Sequence, residues 1–345
     1  MKKIILFVIV LVLAKKTFPQ KQGQALVDSL HQVLSGIPSG NSLQYAKALN
    51  NLGKAYLNIS AYAEASACFY ECKQISERLN EKRLLAETYR NIALISSSNE
   101  DLVKSEAEND KSLAIYKELK DIPEQAATLR NMAGDYLELV LSMKDTAKNR
   151  IKAEQYYNQA LQLYEQIKDK KGEAGIYMNQ SILCFADYQK KIELALLAKK
   201  IWDTVYENNN LPTINMGNIG VAYLDIVRYD TLHLTKPSAL IPAGSKAKLD
   251  LAEKYIDSAI VMGKSKQDAE NTAYFTGVLA ELQAVKGDYK NAYLNFRAYQ
   301  TITDSLFSQE NKNKIASIES RNEIDKKNQE IEKQKVQVRE QKKNT

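Results

Sequence analysis

Cysteine, histidine and asparagine are the residue types in this 345-residue chain whose spacing invites chemistry. Cys68 and Cys72 stand four apart, one helical turn, and with Cys184 they offer three thiolates for a soft metal site. A packing role competes with this. Cys72 falls in a column of small residues and Cys184 in a column of tyrosines, and a buried cysteine behaves as a small hydrophobe. The packing role is the better fit, so neither metal nor cofactor is expected. His31 lies in Leu30-His31-Gln32 and His233 in Leu232-His233-Leu234, without the acidic neighbour of a phosphoacceptor histidine. No GxxxxGK[ST], GxSxG or HExxH occurs. No catalytic residue is assigned, and a non-enzymatic protein is expected.

One polar feature recurs: Asn51, Asn91, Asn131, Asn179 and Asn218. An amide both donates and accepts, so it can hold a peptide backbone without reading its side chains. Arg90 and Arg130 precede two of these asparagines and suit carboxylates. These seven residues are the candidate binding set. The competing reading is that each asparagine bonds the backbone of a neighbouring helix.

Composition narrows the classes. Lys and Arg number 48 against 42 Asp and Glu, a net charge of +6. That excess is too thin for a nucleic-acid partner. Hydrophobic residues at 44% and charged residues at 26% describe a foldable chain. Only 13 glycines and 6 prolines argue against hairpin-rich β folds and glycine-loop nucleotide folds.

The elements that position the asparagines repeat. Leu49-Asn50-Asn51-Leu52-Gly53-Lys54-Ala55-Tyr56, Tyr89-Arg90-Asn91-Ile92-Ala93 and Leu129-Arg130-Asn131-Met132-Ala133 align at forty-residue steps (51, 91, 131). Three further copies centre on Asn179, Asn218 and Gly277-Val278. A second pattern repeats independently: Ala65-x3-Phe69-x2-Cys72, Ala153-x3-Tyr157-x2-Ala160, Ala252-x3-Ile256-x2-Ala259 and Ala292-x3-Phe296-x2-Tyr299, with Ser105-x3-Asn109-x2-Ser112 as a polar copy. Within each half the apolar residues recur at three- and four-residue spacing, the period of a helix. Gly53, Ala93, Ala133, Ser181, Gly220 and Ala280 form a small column on the first helices, and Ala65, Ala153, Ala252 and Ala292 one on the second. Small residues there allow close helix approach, so Ala292 is expected to be buried beside Phe296. Extra residues fall at 143–150 and 229–245, expected to be loops between paired helices; the second contains Pro237, Pro242 and Gly244.

Leu49-x2-Leu52-Gly53-x2-Tyr56 followed by Ala65-x3-Phe69 resembles the tetratricopeptide repeat (TPR). The forty-residue period is similar to the long-helix form in kinesin light chains and bacterial peptide-sensing proteins. The resemblance implies an all-α, right-handed superhelical solenoid of about six helical hairpins over 42–307, led by a helix and loop at 23–41 and followed by a long C-terminal helix. It implies a protein or peptide ligand in a concave groove lined by first helices. Kinesin light chains present a groove asparagine to cargo peptides, which matches the asparagine column here.

The ends have a different character. Lys2 and Lys3 precede an unbroken apolar run, Ile4–Ala14, too short for the roughly 20 residues that span a bilayer. Residues 1–20 therefore read as a signal peptide, with export to the periplasm after cleavage; retention as an uncleaved anchor is the alternative. From 308 to 345 the chain is almost wholly polar, and Ile324, Ile331 and Val338 recur every seven residues, with polar residues (Lys327 or Asn328, Lys335) three or four places on. That half-made seam fits a solvated helix or a coiled coil joining a homodimer. Asp304-Ser305-Leu306-Phe307, then Ile315-Ala316-x-Ile318-Glu319, is similar to the juxtamembrane region of bacterial sensors that join a periplasmic repeat array to a histidine kinase or helix-turn-helix output. Two functions follow: a peptide-binding interaction module that serves as sensor or scaffold, or the truncated sensor half of a membrane-bound kinase or TPR-coupled regulator. A signalling component would pass its ligand state along the 308–345 helix to a separate membrane-bound partner.

Overall fold

The computed structural model describes residues 20–38, 40, 42–142, 146–205, 210–230 and 234–306. The expected signal segment through Pro19, His233, the heptad-like tail, and parts of both insertions (143–145 and 231–233) lie outside the described residues.

A leading helix α1 (Gln20–Ser35) packs on the first of six hairpins. These are α2 (Leu43–Asn58) with α3 (Tyr62–Leu79), α4 (Lys82–Ser98) with α5 (Leu102–Glu118), α6 (Ile122–Leu141) with α7 (Thr146–Gln166), α8 (Lys170–Leu183) with α9 (Tyr188–Trp202), α10 (Leu211–Tyr229) with α11 (Ser245–Ser265), and α12 (Ala269–Val285) with α13 (289–306). Each helix packs mainly on its chain neighbours, which makes the molecule a solenoid. No strand occurs among the described residues.

One turn chemistry is reused. Ser60, Asn80, Glu100, Lys120, Lys168 and Gln267 close their helices at φ of 54–60°. The following residue donates its N–H to a carbonyl five back, as Asp101 does to Ser96 and Asp169 to Tyr164. That residue is often an aspartate whose carboxylate then accepts from the next helix: Asp101 from Lys104, Asp169 from Gly172, Asp268 from Asn271. Pro123 and Pro212 stand in the first turns of α6 and α10, where a missing N–H costs nothing.

The core runs along the seams between helices. The small columns are buried: Ala93, Ala133, Ala65, Ser105, Ala153 and Ala252 are fully enclosed. A Cβ added at Gly220 would sit 2.6 Å from Ile256 and 2.9 Å from the Ala252 carbonyl oxygen, so α10 and α11 touch backbone to backbone there. Two expectations are corrected. Ala292 is only half-buried, and Phe296 is 47% exposed, because α13 packs on α12 and no further described helix covers its other face. Residues 146–150 are helix, not loop. Much of that insertion lengthens α6 and α7, to 20 and 21 residues.

Candidate functional site

The five column asparagines lie on α2, α4, α6, α8 and α10, the first helices of successive hairpins, so they form a line along the array. Their surroundings differ. Asn51 is exposed on α2. Asn91 is buried, and its amide donates to Oδ1 of Asn50 at 3.0 Å, which ties α4 to α2. Asn131 is half-buried with no hydrogen-bond partner among the described residues. Asn179 is half-buried beside the enclosed Tyr157 hydroxyl. Asn218 turns its amide nitrogen inward, where no described group accepts from it. The column thus divides into one structural residue, Asn91, and residues that keep unspent hydrogen-bonding capacity.

The two arginines divide the same way. Arg90 is paired with Glu124 of α6, and its guanidinium lies 5.7 Å from the Tyr116 ring centroid. It is not free to take a ligand carboxylate, contrary to the sequence expectation. Arg130 is exposed and makes no ion pair with a described residue.

Arg90–Glu124 belongs to a set of ion pairs that clamp first helix to first helix. Lys54 of α2 meets Glu87 of α4 at 2.5 Å, and Arg228 of α10 meets Glu281 of α12 at 2.6 Å. Burial pushes the Glu87 carboxyl up, but the Lys54 hydrogen bond and charge outweigh it and hold it below the usual carboxylate range. Sequence reasoning missed these partners. The available signal was opposite charge at 33- and 34-residue separations, short of the repeat length. It also missed Asn215, whose amide donates to the Ala195 carbonyl at 2.9 Å. The bond from asparagine to a neighbouring helix backbone therefore exists, but not in the column proposed for it.

The cysteines are packed among neighbours. Cys68, Cys72 and Cys184 are free thiols and buried, and burial pushes the Cys68 thiol up to about 12. Cys72 Sγ lies 3.3 Å from the Thr88 hydroxyl. No group of three potential metal ligands occurs among the described residues, and no described helix is long and apolar enough to cross a membrane.

No family model matches the sequence, and no curated protein matches it. Solved structures do. A tetratricopeptide-repeat sensor of a Signal Transduction ATPase with Numerous Domains from Pyrococcus horikoshii superposes over 84% of this chain, with a TM-score of 0.61 and 19% identity. The fold is the tetratricopeptide-repeat solenoid. The Cut9–Hcn1 hetero-tetramer of APC/C matches this TPR array over 81% of its length with a TM-score of 0.52 and 12% identity. A Rap protein in complex with Competence and Sporulation Factor matches over 82%, with a TM-score of 0.50 and 14% identity. The chain spans 41% of the Pyrococcus protein, 43% of the Cut9–Hcn1 chain and 80% of the Rap protein.

Proposed function

We propose that the protein is a non-enzymatic TPR interaction module that binds an extended peptide or protein segment along its first helices. The observation that carries this reading is the unspent polar capacity on that face. Arg130 is exposed and Asn131 half-buried, neither with an ion-pair or hydrogen-bond partner among the described residues, and Asn51 is exposed two hairpins away. Asparagine is a mediocre residue for a helix interior, so its repeated use there asks for a compensating partner. Arg130 would take a carboxylate and the amides a peptide backbone. The fold agrees with this use: the Rap protein is seen with Competence and Sporulation Factor, and Cut9 with Hcn1.

We extend the proposal to a signalling role, as a sensor or scaffold exported to the periplasm. The short apolar N-terminal run supports export, and the Pyrococcus TPR array, which is a sensor, supports the role. A photo-crosslinking residue at 131 tests the site. Peptides selected from a random library should crosslink there and not at Lys117 on the exposed side of α5. Equal crosslinking at both positions would contradict a first-helix site.

A further inference from the structure

α3 and α13 are equivalent second helices in different surroundings. The amides of Ala65 and Ala292 make the same bond back, to the carbonyls of Ala61 and Asp288, so Phe69 matches Phe296 and Cys72 matches Tyr299. Ala65 and Phe69 are fully enclosed, because Ile92 and Ile95 of α4 close over them in one cluster. No described helix does this for α13. Its inner side is spent on α12: the Asn295 amide donates to Oε1 of Gln283 at 2.8 Å, and Tyr299 fills the space over Gly277. Its other side carries Tyr289, Tyr293 and Phe296, four and three residues apart on one stripe, and they are 73%, 62% and 47% exposed.

A contiguous apolar stripe is costly to leave in water, and a solenoid must cover its terminal face. The first hairpins show what covers it: α4 lays Ile92-Ala93-Leu94-Ile95 over α3. The chain beyond α13 carries the same pattern, Ile315-Ala316-Ser317-Ile318. Its apolar–small pair also stands on other first helices, as Leu52-Gly53 on α2 and Leu279-Ala280 on α12.

The register agrees as well. α3 ends at Leu79 and α4 begins at Lys82, and Phe69 and Ile92 each lie ten residues from those ends (79 − 69 and 92 − 82). The matching end of α13 is Leu306, and the same turn would start the next helix at 309. Ten residues from each end are then Phe296 and Glu319, which puts Ile318 within one residue of the Phe296 level. The flanking charges are complementary in this register: Arg297 lies within one residue of the level of Glu319, and Asp304 within one of Lys312. Charges beside an antiparallel seam fix orientation and partner. A two-residue turn also gives the chain's own segment a high effective concentration over a second copy.

We propose that residues 309–322 of the same chain dock on the exposed side of α13 as a seventh first helix, with Ile318 on Phe296 and Glu319 beside Arg297. This face is on the last second helix, so the proposal does not depend on the first-helix peptide site. The test is tryptic digestion of the full chain, with the cut sites mapped by mass spectrometry. Cleavage after Lys312, Lys314 and Arg321 should be at least about tenfold slower than after Lys342, since proteolysis follows the population of the open form. Ile315→Asp with Ile318→Asp should bring the rates together. Under mild oxidation, Phe296→Cys with Ile318→Cys should form a disulfide within one chain, and the product should sediment as a monomer. Equal cleavage rates in wild type would overturn the proposal, as would protection that survives the two aspartates. A disulfide that joins two chains would also overturn it and give the face to a second copy.

Discussion

Asn91 and Asn131 share one register and differ in what surrounds them. Asn91→Ala removes the donor to Asn50 and strands a buried amide oxygen, so it should cost about 1–3 kcal/mol in urea denaturation. Asn131→Ala loses no bond to a described residue and should change stability by less than about 0.5 kcal/mol. Equal losses would show that the column has one role throughout. Asp225 makes a prediction about pH. Burial raises its carboxyl to about 6, against the opposing pull of Lys191 and Arg228 and with Glu281, Tyr188 and Tyr274 nearby. A carboxyl raised in the folded state favours folding while protonated. That contribution is fully present below the ordinary aspartate value and is lost as pH rises through about 6. Asp225→Asn should therefore melt above wild type at pH 7, by on the order of 2 kcal/mol, with the gap closing toward pH 4. A gap independent of pH would show that Asp225 is not the titrating group.

Between elements, stability depends on how closely backbones approach. α10 meets α11 at Gly220, where an added methyl would press on the Ala252 carbonyl, which has no rotamer to escape into. Gly220→Ala should destabilise by about 1–3 kcal/mol despite its higher helix propensity. Gly134 on α6 has open space where its Cβ would be, and Gly134→Ala should stabilise by a few tenths to about 1 kcal/mol. A thermal melt of both variants checks the pair, and a stabilised Gly220→Ala would mean the α10–α11 contact is loose. The lengthening of α6 and α7 follows the same logic. A turn added to both partners of a hairpin keeps their seam in register, and at the ordinary repeat positions beside it Tyr136 stacks on Tyr156 with ring centroids 5.9 Å apart.

At the scale of the whole array, the repeat was legible because two independent columns kept one spacing. Gly53, Ala93 and Ala133 could be aligned on their own, and Ala65 and Ser105 confirmed the register. The site was legible only in part. Asn91 is satisfied by Asn50, which lies off the column, and Arg90 by Glu124, which sits at a different helical position in the next repeat. Such pairings depend on how far one first helix is shifted along its neighbour, and a one-dimensional period does not encode that shift.

The central claim is that the first-helix face takes a peptide through groups the fold does not itself use. The direct measurement is the affinity of a library-selected peptide for wild type and for Arg130→Ala/Asn131→Ala, with thermal melting of both proteins in the same buffer. The account predicts binding weakened by about 2–4 kcal/mol for a charge-assisted and an amide bond together, more so for acidic peptides and at low salt, with melting unchanged. A double variant that melts well below wild type while binding the peptide with the same affinity would contradict it.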